Sequence, residues 1–341
     1  MKPIIGISMG DPAGIGPEII VKALLKRSVY AQCKPIVVGD AGVIKQAVDF
    51  LNVTLKVNAI SNIHDAKSKY GTIDVYDLAN FNQQVAYGVV SAEAGRAAFE
   101  SIVKVIELAK SGEVDATVTA PINKEAINLA GFHFSGHTEI YAHYTGTKKY
   151  AMLLVHNNLR VIHVSTHVSL REACDRVQKD RIIEVSRLLY DACRGFGIAE
   201  PKIAVAGLNP HSGDNGLFGW EEEKEIIPAI KELQSEGLNV TGPVPPDTLF
   251  SKAIGGMYDG CVAMYHDQGH IPFKVVGFNW NKSKKTLDVE GVNITLGLPI
   301  IRVSVDHGTA FEIAGKGIAS EKAMLTSIDY AIKMIKSTEK K

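Results

Sequence analysis

The sequence contains few cysteines, and they form no recognisable pair. Its 341 residues include only 4 cysteines, and none belongs to a Cys-x-x-Cys arrangement. A disulfide framework and a cysteine-based zinc centre are therefore excluded. The cysteines lie mostly in apolar segments, as the reduced core residues of a cytoplasmic protein do: Cys33, Cys174, Cys193 and Cys261.

The sequence also lacks an excess of either charge. Lys and Arg number 37, as do Asp and Glu, so the formal net charge is zero. The basic surplus of proteins that bind nucleic acid or membrane surfaces is absent, and neither is predicted as a partner. No apolar run approaches the roughly 18 residues of a membrane span. The apolar start is too short for a secretory signal, so a cytoplasmic location is expected.

The chain does have enough apolar residues for a large core. Its hydrophobic fraction is 46%, which suits about two domains or lobes. Strand-like and helix-like segments alternate, for example a strand at 34–39 and a helix from 41 to about 51. This alternation predicts an α/β fold with a mostly parallel sheet. A hairpin through Asn157 and Asn158 would add antiparallel strands. Segment 131–139 is predicted as a polar loop. Segment 52–82 shows no clear pattern.

Three predicted strands are each followed by a histidine. These histidines are His167 after the run 159–165, His211 after 202–208, and His266 after 260–265. The carboxyl ends of parallel strands share one edge of a sheet, where ligands bind. Three imidazoles with an open position form the usual pattern of a catalytic metal site. Zn²⁺, Mg²⁺, Co²⁺ and Mn²⁺ all stay open, because imidazole suits several metals. The alternative is a set of structural or solvated histidines.

Two carboxylates lie close to these histidines in the sequence. Asp267 follows His266 directly, and Asp247 ends the rigid stretch 242–246. Both are candidates for proton transfer in catalysis. The alternative role is to orient the histidines by hydrogen bonding, and the sequence does not choose between the two.

Two segments resemble the decarboxylating β-hydroxyacid dehydrogenases, which include isopropylmalate and isocitrate dehydrogenases. Segment 10–18 resembles their first strand-to-helix turn, and segment 307–317 resembles their NAD adenine-binding loop. The resemblance implies a two-lobed α/β/α fold of the isocitrate and isopropylmalate dehydrogenase type, with a mostly parallel sheet and some antiparallel strands. It also implies NAD as cofactor. The residues expected to bind it are His307, Gly308, Thr309 and Ala310.

Nearly the whole chain resembles the 4-hydroxythreonine-4-phosphate dehydrogenase family of pyridoxal phosphate synthesis. The matching segments occur in order at 9–14, 119–125, 135–139, 209–211, 264–269 and 291–295. The resemblance implies that His167, His211 and His266 hold a divalent metal. The substrate-binding residues that it implies are His137, Thr138, Lys274, Asn293 and Arg302.

The same resemblance implies a homodimer with shared active sites. The first lobe is expected at 1–135 plus 300–341, with the NAD loop. The second is expected at 136–299, with the metal ligands and the dimer contacts.

Segments 215–219, 245–248 and 270–273 are more similar to a sister branch, the 4-phospho-D-threonate and D-erythronate dehydrogenases. That branch implies NAD- and metal-dependent oxidative decarboxylation of a four-carbon 3-hydroxy acid 4-phosphate to dihydroxyacetone phosphate. The alternative is the vitamin B6 enzyme itself, whose substrate carries an amino group at C2. A more distant alternative is a metal-dependent hydrolase or binding protein. The polar excursion at 279–290 could alter access to the site.

Overall fold

The computed structural model describes residues 2–281 and 286–338. The chain forms two compact units. The first comprises Met1–Lys148 and Leu298–Ile335, and the second comprises Lys149–Gly297 and Lys336–Lys341. The boundary that the sequence analysis placed after residue 135 thus lies after Lys148 in the structure.

The strands of the described residues are short and regular. In chain order they are β1 (Ile4–Ser8), β2 (Lys34–Gly39), β3 (Lys56–Ile60), β4 (Thr72–Asp77), β5 (Ala116–Thr119), β6 (Ala151–His156), β7 (Leu159–His163), β8 (Ile203–Ala206), β9 (Val240–Val244), β10 (Gly260–Ala263), β11 (Phe278–Asn281), β12 (Thr286–Val289), β13 (Val292–Leu296) and β14 (Arg302–Val305).

Helices connect most of these strands. In chain order they are α1 (Gly16–Leu24), α2 (Arg27–Gln32), α3 (Ala41–Phe50), α4 (Ala92–Lys110), α5 (Lys124–Leu129), α6 (His137–Thr145), α7 (Leu170–Asp175), α8 (Lys179–Gly195), α9 (Ile227–Ser235), α10 (Pro246–Ile254), α11 (His266–Gly277) and α12 (Lys322–Thr338). Short 3₁₀ turns lie at Ile63–Asp65 and Pro210–Gly213, and a π-helical turn lies at Glu222–Ile226.

The first unit is built on a parallel sheet. Its strands run in the order β3-β4-β2-β1-β5-β14, and every adjacent pair is parallel. The central strands are runs of buried Ile and Val, as expected for strands covered on both faces. Helix α4 packs on β1 and β2. The Ser91 side chain caps the start of α4 by accepting from Ala94 N.

The second unit has a mixed sheet in the order β13-β6-β7-β10-β8-β9. Strands β13, β6 and β7 pair antiparallel, and β7, β10, β8 and β9 pair parallel. The hairpin expected at Asn157 is present between β6 and β7, with Asn157 at φ +50°. The predicted fold class, a mostly parallel α/β protein with some antiparallel strands, is confirmed.

Some local expectations were wrong or incomplete. The loop predicted at 131–139 ends early, because α6 begins at His137 and is anchored by the fully buried Ile140 and Tyr141. The unclear stretch 52–82 contains the neighbouring strands β3 and β4. Among the described residues of the excursion predicted at 279–290, strands β11 and β12 pair antiparallel, and residues 282–285 lie outside the described part of the chain. Among the described helices, none has the length and apolar character needed to cross a membrane.

Candidate active site

The structure places the three predicted metal ligands at one edge of the second unit's sheet. Strands β7, β10 and β8 are parallel neighbours, so their carboxyl ends lie side by side. His167, His266 and His211 follow these ends in that order. The rings of His167 and His266 are 6.0 Å apart, whereas the ring of His211 lies 6.3 Å from that of Phe218.

The loop that carries His211 has a left-handed backbone. His211, Ser212, Asp214 and Asn215 all have φ between +44° and +57°. For a residue other than glycine this conformation costs roughly 1–2 kcal/mol. Such strain persists only where the surroundings impose it, and it concentrates at functional sites.

Each of two predicted ligands is backed by a carboxylate. His266 Nδ1 lies 2.6 Å from Asp267 Oδ1, and His211 Nδ1 lies 3.5 Å from Asp214 Oδ2. A carboxylate only accepts hydrogen bonds, so His266 Nδ1 is the donor to Asp267 and its Nε2 is the atom left for a metal, whereas the longer separation of His211 from Asp214 is an ion-pair distance. The contact of His266 with Asp267 is the arrangement of metal-binding histidines. Sequence reasoning missed Asp214, for which the only signal was its spacing of three residues from His211.

Two further histidines extend this group, and neither was assigned a role from the sequence. The His270 ring stacks on that of His266 at 3.7 Å and lies 4.7 Å from that of His163. Burial, the larger cause, and the neighbouring His266 together lower the pKa of His270 to about 4. Burial also holds the pKa of His163 well below its usual value. Both imidazoles are therefore neutral at pH 7.

The predicted ligands do not meet as a finished metal site. Within residues 2–281 and 286–338, no group of three or more His, Cys, Asp or Glu is arranged to hold a metal ion. The exposed side chain of His211 is free to change rotamer, since 68% of it is accessible. The assignment of His167, His211 and His266 stays a prediction.

Both candidate catalytic carboxylates line one groove of the second unit. Asp247, in the first turn of α10, and Asp267, in the first turn of α11, lie on the wall of a groove of about 470 Å³. Much of the remaining wall is apolar and includes the exposed side chains of Ile254, Ile271 and Val275.

The predicted substrate residue Arg302 is a buried cation in the first unit. It lies in β14, where only 2% of it is exposed, and its Nη2 donates to Thr119 Oγ1 at 3.0 Å. Its guanidinium carbon is 5.6 Å from the centre of the Tyr141 ring, and the Tyr141 hydroxyl donates to Thr117 Oγ1. Burial lowers the pKa of Arg302 to about 10, which still leaves it charged at pH 7.

His137 and Thr138 lie in the first turn of α6. The positive charge of Arg302 is close enough to His137 to lower its pKa. The His137 Nε2 atom is enclosed and has no hydrogen-bond partner among the described residues. Burial, Arg302 and Lys124 together hold the pKa of His137 well below its usual value. Gly136 leaves the start of α6 without a side-chain cap. A neutral imidazole and uncapped N–H groups beside a buried arginine suit an anion.

The other two predicted substrate residues belong to the second unit. Lys274 lies in the last turn of α11, with its Nζ 4.2 Å from the centre of the Phe278 ring. Asn293 lies in β13, and its enclosed Oδ1 has no partner within the described part of the chain.

The predicted NAD loop packs against the first turn of the chain. Ile15 N donates to Thr309 O at 3.0 Å, and a Cβ at Gly14 would lie 2.9 Å from Thr309 Cβ. Beside it, a Cβ added to Gly308 would meet no heavy atom within 4 Å. A flat ring could therefore approach this backbone closely. The next residue but one, Ala310, has a φ of +43°, and His307 Nδ1 lies 3.0 Å from Gly308 O.

Asp11 is a further polar residue of this first turn, and sequence reasoning gave it no role. It is fully buried, and its Oδ1 accepts from Ala13 N at 2.8 Å. Its Oδ2 has no partner among the described residues. Burial raises the pKa of Asp11 to about 6. Only glycine can precede it, because a Cβ at Gly10 would lie 2.5 Å from Pro121 O.

Comparison with known proteins assigns a class to this arrangement. Residues 31–331 match the family described as pyridoxal phosphate biosynthetic protein PdxA. A D-threonate 4-phosphate dehydrogenase of Cupriavidus necator is 47% identical over 327 residues, or 96% of this chain and 95% of that protein. The relative is named as a dehydrogenase, and this chain is a dehydrogenase too. It belongs to the PdxA family, which confirms the resemblance found in the sequence and sets aside the non-redox alternative.

Solved structures give the same result. A 4-hydroxythreonine-4-phosphate dehydrogenase from Klebsiella pneumoniae has a TM-score of 0.84 and 44% identity, covering 98% of this chain and 99% of that one. Another from Burkholderia phymatum has a TM-score of 0.82 and 45% identity, covering 98% of each chain.

Proposed function

We propose that this protein oxidises and decarboxylates a four-carbon 3-hydroxy acid 4-phosphate, using NAD⁺ and a divalent metal. The favoured substrates are 4-phospho-D-threonate and 4-phospho-D-erythronate, and the product is dihydroxyacetone phosphate. The observation that carries the proposal is the sheet edge at which His266 and His211 are each backed by a carboxylate. The name of the Cupriavidus necator relative supports the substrate.

The reaction has two parts. The C3 hydroxyl loses its proton, and the hydrogen on C3 leaves as hydride, so that C3 becomes a ketone. The bond between C1 and C2 then breaks, CO₂ leaves, and C2 takes up a proton. With a hydroxyl at C2, the result is dihydroxyacetone phosphate.

His167, His211 and His266 are the residues that we propose hold the metal. The donor set fits, because Asp267 accepts a hydrogen bond from His266 Nδ1 and Asp214 lies 3.5 Å from His211 Nδ1, so that Nε2 is the atom of each ring left for a metal. A bound divalent cation supplies Lewis-acid stabilisation of negative charge on the C3 oxygen, worth several kcal/mol.

For the loop at 307–310 we propose NAD binding by His307, Gly308, Thr309 and Ala310. The open space beside Gly308 fits a flat adenine ring. NAD⁺ supplies the hydride acceptor. The contact between Ile15 N and Thr309 O holds the loop in place independently of any ligand.

The substrate anion is proposed to contact His137, Thr138, Lys274, Asn293 and Arg302. Arg302 is the strongest of these candidates, because it is a buried guanidinium beside polar groups of β5. A guanidinium recognises phosphate or carboxylate through two parallel hydrogen bonds. At His137, the neutral imidazole can donate to the anion without adding charge.

Of the two carboxylates, Asp247 is our candidate for proton transfer. The short contact between His266 Nδ1 and Asp267 favours an orienting role for Asp267. Asp247 lines the same groove and remains available to take the hydroxyl proton.

A homodimer with shared sites, located in the cytoplasm, completes the proposal. Exposed apolar side chains of the second unit, such as Ile271 and Val275 at the groove, support an interface there. Mixing a His211→Ala chain with a Lys274→Ala chain tests sharing, because heterodimers would then recover one intact site. A monomer in sedimentation at assay concentration would refute it.

The substrate proposal is tested by measuring kcat/KM for 4-phospho-D-threonate, 4-phospho-D-erythronate and 4-phosphohydroxy-L-threonine, following reduced nicotinamide by absorbance. We expect the hydroxy acids to be preferred. A site built for one C2 substituent leaves polar groups unpaired with the other, which can be worth ~10⁴-fold. The second candidate is the vitamin B6 substrate, favoured by the names of the solved relatives. A preference for the amino acid phosphate would establish it.

A further inference from the structure

Beneath the His211 loop lies a buried carboxylate that the proposed reaction does not use. Only 1% of Glu222 is exposed. Its Oε1 accepts from the backbone N–H of Leu208 and of Asn209, at 2.7 and 2.8 Å. Its Oε2 accepts from Asn209 Nδ2 at 2.8 Å. Both oxygens are therefore occupied by the segment that leads into His211.

The hydrogen bonds continue from Glu222 toward His211, the predicted metal ligand. Glu222 holds Asn209 at both its backbone and its side chain, and the carbonyl oxygen of Asn209 accepts from Ser212 N at 3.1 Å. This bond closes the turn in which His211 has a φ of +52°. The loop also approaches the carboxylate directly, since a Cβ at Gly213 would lie 2.8 Å from Glu222 Oε2.

The helix that carries Glu222 is itself irregular. Residues Glu222–Ile226 form a π-helical turn at the start of α9. Such turns frequently occur at functional sites, because they redirect a side chain that a regular helix would place elsewhere. Here the neighbouring Glu223 faces solvent while Glu222 is buried.

A link on the other side ties this loop to the helix of a second predicted ligand. Gln268 Nε2 donates to Gly207 O at 2.8 Å, and Gln268 Oε1 accepts from Met264 N at 2.7 Å. Met264 and Gln268 flank His266 in the sequence. Glu222 thus supports a loop whose base is already tied to the His266 segment.

We propose that Glu222 is a positioning residue for His211. Its carboxylate holds segment 208–213 in the left-handed conformation that presents the imidazole for metal binding, without itself touching the metal. This inference rests on the proposed function, because it takes His211 as a ligand. It adds a residue, remote in sequence from the three histidines, that sets the metal affinity of the site.

The test is Co²⁺ binding to metal-free protein, measured by calorimetry and by the visible absorption of bound Co²⁺. In Glu222→Gln, the side-chain NH₂ group takes the place of Oε2. It then faces the Nδ2 donor of Asn209, and no hydrogen bond can form between two donors. Loss of a group that orients a ligand costs about 10–100-fold in metal affinity, and we expect a loss in that range. Glu223→Gln is the matched control on the same turn and should bind Co²⁺ as the wild type does.

Amide hydrogen exchange of the metal-free proteins gives a second readout. In Glu222→Gln, segment 208–218 should exchange faster than in the wild type, while the strands of the same unit keep their protection. If Glu222→Gln does not fold, Asn209→Ala decides. It removes the bonds from Asn209 Nδ2 to Glu222 Oε2 and to Glu221 Oε2, keeps both backbone bonds to Glu222 Oε1, and should weaken Co²⁺ binding by about tenfold.

His211→Ala separates the two levels of the hypothesis. If His211→Ala lowers Co²⁺ affinity and Glu222→Gln leaves it at the wild-type value, the positioning role is refuted and the metal proposal stands. If His211→Ala binds Co²⁺ normally, the metal proposal fails and the positioning role fails with it.

Discussion

The two units offer polar side chains at the carboxyl edges of their sheets in opposite ways. In the first unit the key groups are buried: Arg302 and Asp11 are 2% and 0% exposed. In the second, 68% of the His211 side chain and 69% of the Asp267 side chain are exposed. The first edge is fixed when the unit folds, whereas the second can still rearrange around a ligand.

This difference follows from how each group is bonded. Arg302 donates to Thr119 on the neighbouring strand β5, so its position is set by the sheet register. The backbone of the loop that carries His211 is supported by hydrogen bonds, whereas its imidazole lies against Asp214 and Phe218 in the described part of the chain. Under the proposed function, the anion-binding groups of the first unit would be in place once that unit folds, while the metal ligands of the second unit would still have to be arranged.

The largest effect is expected from removing a metal ligand. His167→Ala, His211→Ala and His266→Ala should each lower the affinity for a divalent metal by at least about 100-fold, since each ligand contributes a large share of the binding free energy. Turnover should be abolished. The free energy of unfolding without metal should barely change for His211→Ala, because that side chain is exposed. Metal analysis and chemical denaturation measure the two quantities.

The control for this series is His64→Ala, an exposed histidine in the first unit. It should keep both metal content and activity. Normal metal content in all three ligand variants would overturn the assignment and leave the second edge as a group of structural histidines.

A smaller effect is expected in the first unit from Arg302→Met. Methionine fills a similar volume, and replacing a buried charge by an apolar side chain is often neutral for stability. The KM for the phosphorylated substrate should rise roughly 100-fold, because truncating one partner of a buried charge pair costs about 2–5 kcal/mol. Metal affinity should be unchanged. Steady-state kinetics and metal titration separate the two edges.

The matched control is Arg160→Met in the second unit, where Arg160 donates to the backbone oxygens of Asn158 and Asp259. That variant should affect stability alone. An unchanged KM for Arg302→Met would show that the buried guanidinium is structural.

Most of the fold could be predicted because it depends on local periodicity. The strand Lys34–Gly39 has the predicted bounds, and the next helix begins at Ala41 as predicted. Both are encoded locally, the strand by a run of buried Ile and Val and the start of the helix by the capping Asp40. The order of histidines along one sheet edge followed from the parallel arrangement of strands. The start of α6 could not be predicted, because it depends on burial of Tyr141 against residues far away in sequence.

The parts of the site that were missed depend on long-range contacts or backbone strain. Glu222 reaches Leu208 across 14 positions of sequence, and no local pattern marks such a contact. Asp214 faces His211 only because the loop is left-handed. Asp11 lies in the turn at 10–18 that resembles a known strand-to-helix turn, but its complete burial depends on how that turn packs.

The last prediction concerns Asp11, which takes no part in the proposed reaction, and it separates the two edges by pH. Burial raises the pKa of Asp11 from its usual 3.8 to about 6. Between these values the folded protein binds more protons than the unfolded chain, so this group lowers stability as the pH rises from about 4 to about 6. One pKa unit corresponds to about 1.4 kcal/mol, so the full loss above pH 6 is about 3 kcal/mol.

Replacing Asp11 by Asn removes this titration while keeping the shape of the side chain. Asp11→Asn should match the wild type in free energy of unfolding near pH 4 and exceed it by up to about 3 kcal/mol at pH 8. Urea denaturation at pH 4.5, 6 and 8 measures the difference.

Asp40→Asn is the contrasting control. Both oxygens of Asp40 accept backbone hydrogen bonds, from Val43 and Phe81, so that variant should be less stable than the wild type at pH 8. A difference between Asp11→Asn and wild type that does not vary with pH would mean that Asp11 is ionised without penalty. In that case the first edge would be as adaptable as the second.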